Sequence, residues 1–310
     1  MEIAPTSDEK IMAALAHGSI FLVFFGPVIP VVLWASQRKK SKYVSFHALQ
    51  AMGYQVLLFW LWILAGFLIA ILTMCLVFPL VIFSAKDSSN IEFASFLVQI
   101  FIFLSIFGFM GLFFLTGIIG AVFCLVGKDF RYPLIGKWLE RYLPYNADSE
   151  SQMDETREDN WVAGICHATA VLQFWGIVTP LIVWFTQKER SVRLRFQSMQ
   201  AFIYQGIVLV VYMAGMMLYI VSFFGFFLFF AVGLMGEGGK IQGPVGTIML
   251  IVFVVIIVFW LVINLLMPIY YLLAAFAGVR VIQGRPFHYP IIGGILERRM
   301  EKFPTLKPMP

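Results

Sequence analysis

Residues 8–55, DEKIMAALAHGSIFLVFFGPVIPVVLWASQRKKSKYVSFHALQAMGYQ, are written a second time as residues 158–205, EDNWVAGICHATAVLQFWGIVTPLIVWFTQKERSVRLRFQSMQAFIYQ. Superposed with a shift of about 150 and no gap, roughly a third of the positions are identical, so the chain is a tandem duplication. His17 falls on His167, Gly26 on Gly176, Pro30 on Pro180, Trp34 on Trp184, Gln37 on Gln187 and Ser41 on Ser191. Phe46, Gln50 and Tyr54-Gln55 fall on Phe196, Gln200 and Tyr204-Gln205. Even the helix-start signal recurs, since Thr6-x-x-Glu9 and Thr156-x-x-Asp159 each read as a capping box.

Composition decides the class. The chain is 61% hydrophobic and 13% charged, against about a quarter charged in soluble domains. It reads as an all-α integral membrane protein, because uncharged runs this long satisfy their own backbone only as helices. The N-terminus has no basic n-region and no small-x-small cleavage site, so the chain is expected to insert through its own apolar segments. Cys75, Cys124 and Cys166 all lie in apolar runs and form neither a disulfide framework nor a Cys-x-x-Cys metal motif. The net charge of +5 comes from basic residues bordering apolar segments, which points to anionic lipid headgroups and away from nucleic acid.

Three apolar segments follow in each copy, six in all: residues 11–36, 46–85 and 93–126, then 161–186, 196–233 and 248–279. The first of each copy is broken by Gly and Pro, at Gly26-Pro27 and Pro30 and at Gly176 and Pro180. These boundaries divide the chain into a first membrane repeat (residues 1–145), an acidic polar linker (146–160) and a second membrane repeat (161–310). After the broken segment comes a basic turn with Arg38, Lys39, Lys40 and Lys42, suited to anionic headgroups. The stretch 128–144 reads as interfacial, with Tyr132 and Trp138 at headgroup level. Gly117-x-x-x-Ala121 and Ala274-x-x-x-Gly278 space small residues one turn apart, as helices that approach closely do.

The sequence DEKIMAALAHGS, the Pro-broken run, the basic turn, VSFHALQAMGYQ and the closing RYPLIG resemble the Tic-twenty-like domain-of-unknown-function family of small multipass membrane proteins, here as two copies. The resemblance implies a membrane scaffold or pore-like subunit working with protein partners, since the plastid relatives are similar to components of a protein-import channel. In the second copy Phe-His-Ala-x-Gln-Ala has become Phe196-Gln197-Ser198-Met199-Gln200-Ala201, so His47 has no His counterpart.

No phosphate loop, HExxH or Gly-x-Ser-x-Gly is present, and every Lys, Arg, Asp and Glu can be placed outside the apolar runs. The expectation is therefore a protein that is not an enzyme and needs no cofactor. The alternative is a transporter for a small molecule or lipid with its site at the repeat interface. Candidate polar contacts within the membrane are His17 and His167, together with His47, Gln50 and Tyr54 and their counterparts Gln197, Gln200 and Tyr204. The last two sets lie at i, i+3 and i+7, on one helix face. A buried His needs a partner, and Gln50 and Gln200 are the expected ones.

Topology turns on the broken segments. If all six segments span, Lys and Arg divide about 12 to 10 and the two copies sit inverted. If the broken segments re-enter, the division becomes about 20 to 2, with both termini and both basic turns cytoplasmic. The chain is thus expected in the cytoplasmic (inner) membrane, with protein partners or further copies of itself.

Overall fold

The computed structural model describes residues 4–83, 88–133, 135–146, 152–235 and 244–301. It is all-helical, with 85% helix and no strand among the described residues. In order the helices are α1 (Ser7–Gly18), α2 (Val28–Gln37), α3 (Lys42–Phe83), α4 (Ser88–Leu125), α5 (Gly136–Tyr142), α6 (Glu155–Ala168), α7 (Val178–Gln187), α8 (Val192–Met235), α9 (Pro244–Ile282) and α10 (Ile292–Glu301). Short 3-10 stretches, Ser19–Phe25 and Thr169–Trp175, join α1 to α2 and α6 to α7. The same order of elements is therefore traversed twice.

Four helices are long and apolar enough to cross a membrane, over Lys42–Leu76, Ser95–Leu125, Val192–Val232 and Gly246–Ile282. The first apolar segment of each copy is not a fifth or sixth continuous helix. It bends at Val23 and at the matching Gln173, both with φ of 51°, a conformation costly for any side chain and most of all for β-branched Val. Gly26 follows because a Cβ there would lie 2.5 Å from Oε1 of Gln55. Pro27 caps α2 and Pro30 occupies its first turn, where a missing N–H leaves no intrahelical bond unmade. The prolines thus start the returning helix.

The returning helix brings the chain back to the end where it began. Ser41, just beyond α2, comes to lie beside Glu9 near the start of α1. Down the same face His17 meets His47, the Gln55 amide donates to the Ala16 carbonyl, and Phe24 stacks on Phe59 at 5.4 Å. Thus α1 runs alongside α3, and α2 folds back. Ser41 and Ser191 also cap the long helices, each hydroxyl accepting from the amide three residues on. The small-residue seams of α4 and α9 pack within their own copies. Gly117 and Gly120 lie against Ile20 and His17, and Gly278 lies against Gly164 of α6.

Thr6 and Glu9 form the expected capping box. The second start differs, because Asp154 caps α6 through the amides of Thr156 and Arg157. The acidic stretch read as linker is consequently helical from Glu155.

One hydrophobic core runs through both copies. Helix α3 packs on α6 and the second 3-10 stretch, and α2 packs on α7. Trp161 lies across Gly53 and donates from Nε1 to the Leu49 carbonyl at 3.1 Å. Trp60 donates to the Ala168 carbonyl at 2.9 Å. Arg38 is turned inward rather than toward headgroups: it is 7% exposed, pairs with Asp159 at 2.8 Å and Glu158 at 3.7 Å, and donates to Gln187 at 3.2 Å. Burial pushes the Glu158 carboxyl up to about 7, against the opposing pull of Arg38 and the Trp34 indole. Since Arg38 touches Gln187, both basic turns lie at the same end of the molecule.

A Cβ at Gly53 would lie 2.2 Å from Cζ2 of Trp161. Gly53→Ile should therefore cost about 1–3 kcal/mol by overpacking. Adding Trp161→Ile should recover part of that loss, because it clears the ring. Thermal unfolding of the two variants in detergent decides the point, and a double variant no more stable than Gly53→Ile would refute this account of the seam.

Candidate functional site

At the end of the molecule that carries the basic turns, the polar face of α3 turns toward α1 and the connector between α4 and α5. A connector buried in protein, as Phe130 and Tyr132 are, carries amides and carbonyls that must find partners there. Gln50 answers for them. Its Nε2 donates to the Phe130 carbonyl at 3.0 Å, and its Oε1 accepts from the Tyr132 amide at 2.9 Å. Gln200 does the same for Phe287 and Tyr289, at 3.1 and 2.7 Å. Gly136 and Gly293 complete each clamp, since a Cβ at either would come within 2.6 or 2.8 Å of the Gln oxygen. Tyr54 stacks on Tyr132 at 3.7 Å and bonds Thr116; Tyr204 stacks on Tyr289 at 3.8 Å and donates to the Tyr270 carbonyl.

The histidines take partners other than the expected glutamines. His17 and His167 are fully buried, and each presents Nδ1 to a tyrosine hydroxyl, Tyr132 at 2.9 Å and Tyr289 at 3.1 Å. The other nitrogens diverge: His17 Nε2 meets His47 Nδ1 at 3.0 Å, whereas His167 Nε2 meets Gln197 Oε1 at 2.9 Å. Tyr132, expected among headgroups, is 1% exposed, while Trp138 is exposed and stacks on Tyr142.

Among the described residues, the line of polar groups continues outward in the first copy alone. His47 Nε2 donates to Asp129 Oδ1 at 3.0 Å, and Arg131 grips the same carboxylate at 2.7 and 2.9 Å. Burial opposes the charge on Asp129, but the bonds from His47 and Arg131 prevail and hold its carboxyl down at about 2. Cys124 Sγ lies 3.5 Å from His47 Nδ1. Asp129, Arg131 and Cys124 escape a sequence reading of this site because they stand far from His47 in the chain.

One tautomer assignment satisfies the whole line: Tyr132 donates to His17, His17 to His47, and His47 to Asp129. Its inner end is the stacked, buried pair Tyr132 and Tyr54, so the line offers no through path for protons. Two cavities lie apart from it, and none of its four residues lines either. One of about 210 Å³ is lined by Val23, Phe24, Phe59, Trp62, Phe109 and Phe113, among others. The other, about 390 Å³ at the repeat interface, includes Leu57, Trp60, Trp138, Trp161, Val279 and Ile282. Both are apolar, and neither gathers titratable groups.

Replacing either Gln by Leu strands one buried carbonyl and one buried amide. Gln50→Leu and Gln200→Leu should each cost roughly 2–6 kcal/mol. Thermal unfolding together with amide hydrogen exchange at Tyr132 or Tyr289 measures both effects. Unchanged protection of the Tyr132 amide in Gln50→Leu would rule out the clamp.

The profile of the magnetosome magnetite crystal formation protein family (MamF/MmsF) matches residues 8–139 and again residues 158–238. The two matches fall on the two copies, the first reaching into α5 and the second to the end of α8. The Tic-twenty-like resemblance finds no support in this match, and the import-channel expectation loses its basis with it. No curated protein and no solved structure matches the chain. With more than half of its residues matched and four helices fit to cross a membrane, the chain belongs to the magnetosome magnetite crystal formation family of multipass membrane proteins.

Proposed function

We propose that the protein is a non-enzymatic membrane scaffold that associates head to tail with further copies of itself, and that it serves magnetite crystal formation by organising the magnetosome membrane. The observation that carries this reading is the inequality of the contact between the two copies. In a two-fold pair, α3 on α6 would be matched by α1 on α8, yet among the described residues no comparable packing of α1 on α8 exists. Although α2 packs on its own counterpart α7, and Phe25 on Trp175, the α3–α6 part of the contact has no mate, and a contact unmatched in this way leaves one complementary face open at each end, where further subunits can add.

The open faces have the chemistry of the closed one. Trp161 and Ile165 are each 4% exposed, whereas their counterparts Ile11 and Leu15 are 50% and 55% exposed. On the opposite end Ile207 and Val210 are exposed, where their counterparts Leu57 and Trp60 line the seam. Size compensates across the pair: Gly53 receives Trp161 inside the chain, and Ile203 would receive Ile11 between chains. Charge also matches, with Lys188 standing for Arg38 and Asp8 and Glu9 for Glu158 and Asp159. Cysteines introduced as Ile11→Cys and Ile203→Cys in a Cys75→Ser background should crosslink copies in intact membranes. Either substitution alone should give no ladder, and a mixture of the two singles should give dimers only. No dimer from that mixture would refute the head-to-tail contact.

The same reading places both basic turns, both termini and the central linker on the cytoplasmic side, because the re-entrant arrangement divides Lys and Arg about 20 to 2. Ser41 and Ser191 are buried caps, so the exposed neighbours Lys40 and Arg190 make better reporters. Lys40→Cys and Arg190→Cys should both be labelled from the cytoplasmic face. Labelling from opposite faces would establish the inverted, six-span arrangement instead.

A further inference from the structure

We propose that the first copy holds a zinc-type divalent cation between His17 Nε2, His47 Nδ1 and Cys124 Sγ. These atoms come from α1, α3 and α4 and lie within 4.8 Å of one another, and all three side chains are fully buried. The two nitrogens are 3.0 Å apart, and the sulfur is 3.5 Å from His47 Nδ1. Tetrahedral zinc with bonds of about 2.0–2.1 Å to nitrogen and 2.3 Å to sulfur sets ligand separations near 3.3 and 3.6 Å. The two separations that involve His47 therefore fall within a few tenths of an ångström of those values, and the third, between His17 and Cys124, lies within 4.8 Å.

The surroundings are those of a metal centre. Each imidazole has its remaining nitrogen held, His47 Nε2 by the Asp129 carboxylate and His17 Nδ1 by the Tyr132 hydroxyl. A carboxylate behind a ligating His fixes the tautomer and strengthens the ligand. Arg131 bonds both Asp129 and Glu140, so Asp129 is itself anchored. The Tyr43 hydroxyl donates to the Lys128 carbonyl at 3.5 Å, and its ring lies 4.5 Å from that of His47, on the same side as Cys124.

The second copy supplies an internal comparison. It keeps His167, Gln200, Tyr204 and Tyr289, and its matching turn glycine, Gly284, has φ of 79° against 76° at Gly127. Counting from these anchors, His47 is replaced by Gln197, Cys124 by Val281 and Asp129 by Pro286. Both ligands that α3 and α4 contribute, and the carboxylate behind them, change together. The fold closes without them, through the His167 to Gln197 bond, so the first copy carries these groups for some purpose beyond folding.

Donor chemistry selects the ion. Two imidazoles and a thiolate suit zinc and exclude magnesium and calcium, which take oxygen. Charge selects further. A divalent ion with the Cys124 thiolate and the Asp129 carboxylate sums to neutrality, and Arg131 with Glu140 does likewise, whereas a monovalent ion would leave a buried negative charge. Binding releases the thiol proton to solvent, and the His17 proton shifts from Nε2 to Nδ1, where it donates to Tyr132.

The whole chain in detergent, stripped with a chelator and equilibrated with zinc, should retain one ion per chain after desalting. Cobalt in its place should give the near-ultraviolet thiolate-to-cobalt band and the visible bands of a tetrahedral site. His47→Gln and Cys124→Val, each the side chain of the second copy, should lower zinc affinity by at least about 100-fold, and Asp129→Asn by about 10- to 100-fold. Cys166→Ala, at the buried cysteine of α6, should leave affinity and spectrum unchanged. Wild-type protein without the cobalt–thiolate band, or full zinc retention by His47→Gln or Cys124→Val, overturns the proposal. The spectrum decides even if a variant fails to fold.

Discussion

Backbone that leaves a helix and stays buried must find hydrogen bonds within the protein, and the rest of this structure follows from how that demand is met. Gln50 and Gln200 each present a carboxamide to one carbonyl and one amide of a connector, the arrangement a strand partner would otherwise provide. Because each Gln is held at both ends, the connector's aromatic residues are fixed too. Phe130 and Tyr132 then wall in His17, and Phe287 and Tyr289 wall in His167. The fold-back of α1 and α2 is the other half of the solution. It lays a second helical layer against the connector and covers groups that α3 and α4 alone would leave open.

The two copies differ in what their corresponding positions meet. The first keeps a continuous polar line from Tyr132 to Asp129. The second gives up its His, Cys and Asp there, and its α6 is instead covered on its outer face by α3, through Trp161 and Ile165. The same helix position therefore faces the protein interior in one copy and the outside in the other. Ile11 and Trp161 show this division most plainly.

Much of this architecture was legible from residue order. The long apolar helices and an interruption in the first apolar segment of each copy follow from composition and Pro chemistry, although the bend itself falls at Val23 and Gln173 and not at Gly26-Pro27. Local pattern could not show what side chains from distant segments meet. His17 and Gln50 repeat together and so invite pairing, yet Gln50 serves backbone and His17 serves Tyr132 and His47, a choice made by the path of the connector. Arg38 sits in a basic turn and reads as a headgroup ligand, but α6 brings Glu158 and Asp159 to it from about 120 residues away. Asp154 displaces Thr156 as the helix cap because both residue types cap well, and sequence alone does not rank them. Val23 and Gln173 carry no sign of the bend they adopt.

The exposed apolar surface is taller than a bilayer. At 1.5 Å per residue, the 42 residues of α3 and the 44 of α8 extend about 63 and 66 Å, twice the roughly 30 Å of a hydrocarbon core. Tilting by 40°, the upper end of what is seen in membranes, still leaves nearly 50 Å of height. Large apolar side chains are exposed from Ile11 and Leu15, at the end with the basic turns, down to Leu72 and Leu76. Lipid of ordinary thickness covers only part of that height. The remainder is stable when protein covers it, and at the basic end the uncovered residues are the ones whose counterparts the second copy buries against the first. Length along the helices and inequality across the repeat thus point to the same faces.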